Sequence, residues 1–470
     1  MINKTSNRHI AIIGSGSAAF ACAIKATERG ARVTIIEAAE DIGGCCVNVG
    51  CVPSKNLIRA AQLAHQQTSN PFEGIKNQRA ILDRASLAKQ QIHLVDSLRS
   101  AKYQHILDSH STISLVRGFA SFKDAHTLVI RNDQGHEQLL SADYFLIATG
   151  SQPAIPPISG LANTPYWTST EALFAEEIPH HLVVIGSSVI AVELAQAYRR
   201  LGSKVTVLSR SRLLSSQEQL LGTELKMAFE REGICVLENA QASLVKFEDA
   251  QFRVHLDQTM ISCDKLLVAT GRMPNTAELN LMAAGVKTQA NGAIIVNDHL
   301  QTSQATIYAA GDCSNMPQLV YVAAAAGTRA AINMTGGDAH LDLSTLPLVI
   351  FTDPQVATVG MSEQQAQAQG IKTDSRVLRL ENVPRALVNL ETHGFIKLVV
   401  DASSNRLIGA QVLVPDGGEI IQSAALAIKN RMTVTEMTDQ FFPYLTMVEG
   451  LKLCAQTFSK DVKQLSCCAG

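Results

Sequence analysis

The chain has 470 residues, 46% of them hydrophobic and 17% charged, which predicts about three domains and excludes a disordered or collagen-like protein. Lys and Arg (40) nearly balance Asp and Glu (42), for a formal net charge of −2, so neither nucleic acid nor an anionic membrane surface is an expected partner. No apolar run is long enough to span a bilayer, and the polar N-terminus does not resemble a signal peptide. We therefore expect a soluble cytoplasmic protein.

The N-terminal segment HIAIIGSGSAAFACAIKA has the pattern of a buried strand, a tight glycine turn and a helix. Gly14 permits the turn, Gly16 lets the backbone approach a pyrophosphate, and Ala19 allows the helix to pack closely on the sheet. The next strand, ARVTIIE, ends at Glu37, where a carboxylate can bind a ribose diol. Together these features predict a dinucleotide-binding unit.

Cysteines cluster in the next segment, IGGCCVNVGCVPSKNLIRA. Cys46 and Cys51 are separated by four residues near the start of a predicted helix with Pro53 in its first turn. A helix N-terminus favours thiolate over thiol, so one of the two is expected to be a good nucleophile, and the pair can also close a reversible disulfide. The alternatives are a structural disulfide or half of a metal site, but the position directly after a dinucleotide unit favours redox chemistry.

The remaining cysteines divide into a terminal pair and five single residues. In a reducing cytosol, clustered cysteines indicate redox chemistry or metal binding rather than a disulfide framework. The five single cysteines are predicted to be small buried hydrophobic residues: Cys22, Cys235, Cys263, Cys313 and Cys454.

The strand–turn–helix pattern recurs in HLVVIGSSVIAVELA, whose three small-residue positions are Gly186, Ser188 and Ala191. Its second strand, KVTVL, runs into Ser209 and Arg210 instead of an acidic residue. Arg210 and Arg212 suit a 2′-phosphate, and no carboxylate is present to repel it, so the second unit is predicted to prefer NADPH to NADH. The alternative is a solvated basic turn.

Two further segments close these units. The strands YFLIATGS and KLLVATGR reach Gly150 and Gly271, as return strands would, and the alternating stretches HTLVIRN and FRVHLD predict antiparallel meanders. The segment ATIYAAGDC places Gly311 and Asp312 at a strand end, before an alanine-rich helix predicted over Val322–Met334. From about residue 341, strand-like runs alternate with helical ones, including a helix predicted over 418–429, which indicates a separate α+β domain.

This arrangement resembles the pyridine nucleotide–disulfide oxidoreductases over nearly the whole chain. The resemblance implies an α/β fold with two Rossmann-like dinucleotide-binding domains, for FAD and NADPH, and a C-terminal α+β dimerisation domain. The FAD domain is expected at 1–150 and 272–340, the NADPH domain at 151–271, and the dimerisation domain at 341–470.

The resemblance also implies roles for individual residues. Cys51 would be the thiol that faces the flavin in a charge-transfer pair, and Cys46 the interchange thiol. Lys55 and Glu193 match the ion pair beside the flavin, and Asp312 matches the carboxylate that holds its ribityl chain. The other positions implied to contact the cofactors are Cys45, Ala120, Thr149, Gly150, Gly271, Gly311 and Val320.

The C-terminal segment FFPYLTMVEG differs from the disulfide-reducing members of the family. Those members place a histidine acid/base in a His-Pro motif followed by a glutamate. Here Tyr444 stands at the histidine position, and Glu449 keeps the glutamate. A phenol with a pKa of about 10 cannot shuttle protons at neutral pH as imidazole does, so ordinary disulfide reduction is disfavoured.

The polar tail SKDVKQLSCCAG carries Cys467 and Cys468. Adjacent cysteines form only a strained disulfide, so the pair is better suited to act as two thiolates, which select soft metal ions. The alternative is an exposed terminus with accidental cysteines, but exposed free thiols are a liability for a soluble protein.

These features together are similar to the family members that detoxify mercury by reducing Hg(II) to Hg(0) with NADPH. The resemblance implies a homodimer in which the terminal cysteines of one subunit take Hg(II) from thiol complexes. They pass it to the dithiol of the other subunit, and reduced FAD supplies two electrons. The side chains implied to bind Hg(II) or to line its path are Cys46, Cys51, Cys467, Cys468, Tyr103 and Tyr444.

There are departures from the family pattern. Many members carry an extra N-terminal metal-binding domain, whereas this sequence starts at the flavin unit, so we expect catalysis without delivery from such a domain. Cys45 stands where the family usually has threonine. This third thiol could alter the flavin contact, offer an off-pathway metal site or allow a wrong disulfide, and the sequence does not choose among these.

Two alternative functions remain. One is a reductase of low-molecular-weight disulfides, which Tyr444 disfavours. The other is a metal-sequestering protein with a vestigial flavin. The dithiol, Lys55, Glu193 and the NADPH-type turn disfavour that reading, because metal storage needs none of them.

Overall fold

A computed structural model describes residues 8–464 of the chain, and the side chains of residues 8–463. Residues 9–147 begin with the predicted strand–turn–helix unit and continue through four further helices to a meander and a return strand. A π-helical turn, Ser100–Gln104, joins two of the helices. The elements are β1 (His9–Ile13), α1 (Ser17–Glu28), β2 (Arg32–Glu37), α2 (Gly44–Asn48), α3 (Cys51–Thr68), α4 (Arg84–Arg99), α5 (His105–Ser109), β3 (Ile113–Arg117), β4 (Phe119–Asp124), β5 (Thr127–Arg131), β6 (Glu137–Ser141) and β7 (Tyr144–Ile147).

Residues 151–274 repeat this plan in a shorter form, with a short 3₁₀ turn at Leu161–Asn163. The elements are β8 (Ser151–Pro153), α6 (Ser169–Phe174), β9 (His181–Ile185), α7 (Val189–Leu201), β10 (Lys204–Ser209), α8 (Gln219–Arg231), β11 (Cys235–Glu238), β12 (Leu244–Glu248), β13 (Gln251–His255), β14 (Met260–Cys263), β15 (Lys265–Val268) and β16 (Arg272–Pro274).

The last region starts with a strand and a long helix and continues into an antiparallel domain, with 3₁₀ turns at Ala277–Leu279, Leu380–Asn382 and Val462–Gln464. The elements are β17 (Ile307–Ala309), α9 (Val320–Met334), β18 (Leu348–Ile350), β19 (Gln355–Gly360), α10 (Glu363–Ala368), β20 (Thr373–Arg379), α11 (Pro384–Asn389), β21 (Phe395–Asp401), β22 (Arg406–Val414), α12 (Gly417–Lys429), α13 (Val434–Thr438) and α14 (Glu449–Gln456).

The first sheet has the order β17-β7-β1-β2-β3 and is parallel throughout. Its central strands are continuous apolar runs, as expected of parallel strands covered on both faces. Helices α1 and α9 pack against each other through Gly327, where a Cβ atom would lie 2.1 Å from the carbonyl oxygen of Ala18. Strand β17 and helix α9 therefore complete the unit begun by β1 and α1, although 151–274 intervene in sequence.

The second sheet, of order β11-β10-β9-β15, is also parallel. Each parallel sheet is accompanied by a three-stranded antiparallel meander, β4-β5-β6 in the first unit and β12-β13-β14 in the second. The chain enters the second unit through β8 and leaves it through β16. These two strands pair antiparallel, with Ser151 opposite Pro274. This pairing brings residues more than a hundred positions apart to the place where the two units meet.

The C-terminal region is a five-stranded antiparallel sheet of order β18-β19-β22-β21-β20, with α12 packed on β19 and β22. The predicted fold class is therefore confirmed: two doubly wound units and an α+β domain. No helix among the described residues is long and apolar enough to cross a membrane.

Three local predictions need correction. The alanine-rich helix begins at Val320 rather than Val322, and α12 begins at Gly417 rather than at the following residue. Cys235 is exposed rather than buried, because it opens β11 at the edge of the second sheet, whereas the other four single cysteines are buried.

Candidate active site

The first glycine turn is held tightly against the return strand of its own sheet. Gly14 has φ +100°, and a Cβ atom there would lie 2.4 Å from the carbonyl oxygen of Ala148. Gly16 precedes the first residue of α1, and Ala19 in that helix is fully buried. The helix N-terminus therefore carries no bulky side chain, an arrangement that suits an anion on the backbone N–H groups.

The carboxylate of Glu37 is fixed at the end of β2. Its Oε2 atom accepts hydrogen bonds from the Ser15 backbone N–H (2.9 Å) and hydroxyl (2.6 Å). Its Oε1 atom accepts from the Ala39 N–H at 2.8 Å. These bonds hold the acid at the turn, which is where a ribose diol would be bound.

The two thiols come from successive helices. Cys46 lies in the short helix α2, and Cys51 is the first residue of α3, which has 18 residues. Gly50 caps α3, and a Cβ atom there would lie 2.9 Å from the Cys45 carbonyl oxygen, so the turn between the helices admits no side chain. Both thiols are partly exposed.

The electrostatics of the pair separate the two cysteines. A hydrogen bond from the Cys46 thiol and, to a smaller extent, the nearby Lys55 ammonium lower the pKa of Cys51 to about 7 against the opposing effect of burial. The same hydrogen bond, with burial and the charge on Cys51, raises the pKa of Cys46. At neutral pH the thiolate of this pair is therefore on Cys51, which is the nucleophilic form of cysteine.

Lys55 and Glu193 form an ion pair between α3 and α7. The Lys55 Nζ atom lies 2.8 Å from Glu193 Oε2, and the Glu193 side chain is only 4% exposed. Glu193 Oε1 accepts a hydrogen bond from the Phe351 N–H at 2.9 Å, and Lys55 Nζ lies 4.6 Å from the centre of the Phe351 ring. The pair thus connects both dinucleotide units to the C-terminal region and supplies the positive charge beside Cys51.

A second network, not predicted from the sequence, connects Asp312 to Cys45. Asp312 Oδ2 accepts a hydrogen bond from Ser151 Oγ (2.8 Å), and Arg272 donates to Ser151 Oγ (2.8 Å) and Ser151 O (2.6 Å). The Arg272 Nη2 atom also lies 3.5 Å from Cys45 Sγ. The motif T-G-R that ends the second return strand is the only sequence signal for this arginine.

The other positions implied to contact FAD lie around the end of the first sheet. Gly150 has φ +68° with open space on its Cβ side, and the Thr149 hydroxyl oxygen is buried without a hydrogen bond to any nitrogen or oxygen of the described residues. Such an open glycine, beside a buried hydroxyl whose hydrogen-bond partner in the described part of the chain is the Cys313 thiol alone, fits a polar cofactor. Nearby sequence-predicted positions are Ala120 in β4, Gly311 at φ +84° after β17, and Val320 at the start of α9.

The second glycine turn repeats the first with different polar groups. Gly186 has φ +128°, and a Cβ atom there would lie 2.1 Å from the Ala269 carbonyl oxygen. Ser188 caps α7, and Ala191 in that helix is fully buried. Gly271 has φ +127° with open space on its Cβ side, like Gly150 in the first unit.

The two predicted phosphate-binding arginines differ in their surroundings. Arg210 is exposed and makes no hydrogen bond or ion pair within 8–464. Arg212 donates to the carbonyl oxygens of Leu214 (3.3 Å), Ser215 (3.0 Å) and Gln217. Arg210 is therefore free to meet a ligand, whereas the guanidinium of Arg212 already holds the loop after β10.

Tyr103 lies in the π-helical turn, on the side that faces the dithiol. Its ring packs edge-on against Phe20, with 4.9 Å between ring centres, and its hydroxyl hydrogen-bonds with Ser17. Burial raises the pKa of Tyr103, and the nearby Cys46 and Cys51 raise it further. The fold thus turns the Tyr103 ring towards the two thiols.

Tyr444 lies in the segment before α14, and Glu449 is the first residue of that helix. The Tyr444 side chain is 50% exposed, and Glu449 is buried and accepts a hydrogen bond from the Leu445 N–H at 3.2 Å. Glu449 thereby fixes the loop that presents Tyr444, and it makes no hydrogen bond to Cys46 or Cys51 within 8–464. Cys467 and Cys468 lie outside the described residues.

Comparison with known proteins places this site in a family. The sequence profile described as pyridine nucleotide-disulphide oxidoreductase matches residues 8–327, and that of its dimerisation domain matches 346–455. The chain therefore belongs to the pyridine nucleotide-disulphide oxidoreductases, enzymes that use FAD and NAD(P)H.

Two relatives cover almost all of the chain. The mercuric reductase of Shewanella putrefaciens is 64% identical over 470 residues, covering 100% of this chain and 84% of its own. The mercuric reductase of Shigella flexneri is 58% identical, covering 98% of this chain and 83% of its own.

A solved structure with the same fold is the Cu(II) complex of the HOCl-induced flavoprotein disulfide reductase RclA from Escherichia coli. It superposes with a TM-score of 0.86 at 28% identity, covering 97% of this chain and 100% of that one. The fold is therefore shared well beyond the mercuric reductases.

Proposed function

We propose that the protein is a mercury(II) reductase that converts Hg(II) and NADPH to Hg(0), NADP⁺ and a proton. The observation that carries this proposal is the Cys46–Cys51 dithiol with its thiolate on Cys51, in a chain 64% identical to a mercuric reductase. Thiolates are soft ligands that prefer soft metal ions, so the pair suits Hg(II).

The dithiol binds the substrate in two steps. Cys51, which its pKa of about 7 leaves about half ionised at neutral pH, replaces one ligand of the incoming Hg(II) complex. Cys46 then loses its proton as its sulfur joins the metal, since a metal-bound thiol is deprotonated. The result is an ion held between two thiolates beside the positive charge of Lys55.

Electron supply depends on the two glycine-turn units. When bound, FAD would supply two-electron transfer from NADPH to the metal site, so the two electrons lost by NADPH equal the two gained by Hg(II). Glu37 and the α1 N-terminus would hold the flavin dinucleotide, and Asp312 with Thr149 would hold the part nearer the dithiol. Lys55, paired with Glu193, keeps a positive charge next to the thiolate as negative charge arrives.

NADPH is the reductant favoured by the second unit. Ser209 rather than an acid ends β10, and exposed Arg210 follows it. A 2′-phosphate is thus met by a guanidinium, and residues 209–213 carry no carboxylate of their own. The neighbouring Glu238 carboxylate accepts from the Leu213 N–H (2.7 Å) and pairs with Lys226 (3.2 Å). Arg212 contributes by holding the loop rather than by binding the phosphate itself.

Metal delivery uses a homodimer. The dimerisation domain carries Tyr444 and precedes the tail, so the tail cysteines of one subunit serve the dithiol of the other, taking Hg(II) from small thiol complexes. Tyr103 and Tyr444 line the path of the metal ion.

Small thiols and NADPH are both found in the cytoplasm, and we therefore assign the activity to that compartment. Domain boundaries at 150, 271 and 340 are consistent with separate domains for FAD binding, NADPH binding and dimerisation.

The test replaces each thiol in turn in FAD-loaded protein. Cys46→Ser and Cys51→Ser should each abolish NADPH-dependent formation of Hg(0) while FAD remains bound. Cys235→Ser, which alters an exposed thiol in another part of the molecule, is the matched control and should be fully active. Hg(0) production by Cys51→Ser at the unaltered rate would exclude the proposed chemistry.

A further inference from the structure

Two histidines and two aspartates converge on the surface away from the dithiol, from the turn before β17 and the segment after α9. The rings of His299 and His340 lie against each other with 3.9 Å between their centres. The Nδ1 atoms of both rings lie 2.9 Å from the carboxylate of Asp298. On the opposite edge, Asp338 Oδ1 lies 2.8 Å from His299 Nε2 and 3.7 Å from His340 Nε2. We call these four residues the His299–His340 cluster.

The proton count of this cluster points to a bound cation. A neutral imidazole carries one N–H, so it can donate to a carboxylate at only one of its two nitrogens. His299 meets a carboxylate at both of its nitrogens, so protons alone would make it an imidazolium packed against the His340 ring, with 3.9 Å between the ring centres. One divalent ion at the Nδ1 edge satisfies the same contacts with both rings neutral, and it balances the two carboxylates.

We propose that the His299–His340 cluster binds one zinc-class divalent cation through the Nδ1 atoms of His299 and His340 and the carboxylate of Asp298. Candidate ligand atoms of these three residues lie within 4.8 Å of one another. Two imidazoles and a carboxylate are donors that suit Zn²⁺ and its neighbours in the first transition row. Water completes the coordination, since the cluster is on the surface.

Asp338 acts as the outer carboxylate of this site. Imidazoles that bind a metal usually donate their other N–H to a carboxylate, which fixes the ring and raises its basicity. Asp338 Oδ1 lies 2.8 Å from His299 Nε2 and orients that ring, whereas at 3.7 Å from His340 Nε2 it contributes only its charge. This second layer distinguishes the cluster from a chance group of surface acids.

The backbone carrying the ligands is held in place by other residues. The Asn333 side chain donates to the carbonyl oxygens of His299 (2.9 Å) and Ala339 (3.0 Å), and it accepts from the Ala339 N–H at 2.7 Å. The Leu341 N–H donates to the Asp298 carbonyl oxygen at 2.9 Å. The two segments are thus joined independently of the imidazoles, and the ligand set is preorganised.

The site is separate from the mercury chemistry and does not depend on it. Nitrogen and oxygen ligands suit borderline ions, whereas the thiolates of the dithiol suit soft ones. An ion here would tie the turn that precedes β17 to the segment that follows α9, two elements of the first dinucleotide unit. Its expected effect is on stability rather than on the reaction.

The experiment is a calorimetric titration of FAD-loaded full-length protein with ZnCl₂ at neutral pH, after all accessible thiols have been alkylated. The proteins compared are the wild type, H299A/H340A, D338N and H126A. His126 is an exposed histidine on another loop and serves as the matched control. Thermal unfolding without metal checks that each variant is folded.

Wild type and H126A should bind one more equivalent of Zn²⁺ than H299A/H340A, and D338N should keep the equivalent with affinity weakened by about 10–100-fold, as for loss of an outer-shell partner. Zn²⁺ should raise the melting temperature of wild type but not of H299A/H340A. Equal stoichiometry and affinity in wild type and H299A/H340A would overturn the proposal. So would zinc binding that H126A loses to the same extent as H299A/H340A.

Discussion

The Ser209 hydroxyl donates a hydrogen bond to the Ser187 hydroxyl across 2.6 Å, at the end of the second strand of its unit. At the corresponding place in the first unit, Glu37 accepts a hydrogen bond from Ser15 across the same 2.6 Å. The second unit thus has a pair of neutral hydroxyls where the first unit has a hydroxyl and a carboxylate. The second strand of this unit therefore ends in a neutral residue, where the first unit has a carboxylate.

Replacing Arg210 with Ala should raise the KM for NADPH by about 10-fold or more, because a hydrogen bond to a charged group contributes about 1.5–3 kcal/mol. The KM for NADH should change little. Steady-state kinetics with both nucleotides measures this. Arg212→Ala is the control and should lower the melting temperature without changing the NADPH/NADH preference. Equal losses for both nucleotides in Arg210→Ala would contradict the assignment.

The reactivity of Cys51 should follow its pKa of about 7. The thiolate fraction rises as pH rises through the pKa. The rate of alkylation by iodoacetamide should therefore be half its maximum near neutral pH and should decrease at more acidic pH. Cys46→Ala removes the hydrogen bond that contributes most to the low pKa, so its midpoint should move upwards. Mass spectrometry of the reduced, FAD-loaded protein gives the rate at Cys51. An unchanged midpoint in Cys46→Ala would show that another group sets the pKa.

Lys55→Met should destabilise the protein more than Glu193→Gln. The first change leaves a buried carboxylate without its cation, whereas the second leaves an ammonium that is already 34% exposed. Breaking a fully buried pair costs about 3–5 kcal/mol, and the partial exposure of Lys55 places the expected loss below that range.

Urea unfolding of the FAD-loaded variants measures these losses. The double variant Lys55→Met/Glu193→Gln should recover part of the stability lost in Lys55→Met, because no unpaired charge remains. A larger loss in Glu193→Gln than in Lys55→Met would mean that the carboxylate is needed chiefly by Phe351.

Tyr444→His should gain NADPH-dependent reduction of glutathione disulfide. An imidazole, with an ordinary pKa of about 6.5, exchanges protons at neutral pH, and a phenol with a pKa of about 10 does not. The side chain is half exposed, so the fold should tolerate the change. Tyr444→Phe is the control and should gain nothing. Equal, negligible disulfide reduction by both variants would show that substrate choice lies elsewhere.

Much of the fold could be predicted because the strands are continuous apolar runs between glycine turns. The dithiol and the two glycine turns were predictable for a similar reason, since their residues are close in sequence. The Arg272–Ser151–Asp312 network was not, because β8 and β16 bring its members together from distant parts of the chain. The orientation of Tyr103 and the local hydrogen bonds of Arg212 also depend on tertiary contacts that a one-dimensional pattern does not contain.

The most direct test of the proposed reaction is anaerobic incubation of the purified FAD-loaded protein with NADPH and Hg(II) in excess small thiol. NADPH loss and volatile Hg(0) are followed together, and glutathione disulfide and lipoamide serve as parallel substrates. We expect one Hg(0) for each NADPH consumed, with both disulfides inert. NADPH consumption only with a disulfide would contradict the account and identify the protein as a disulfide reductase.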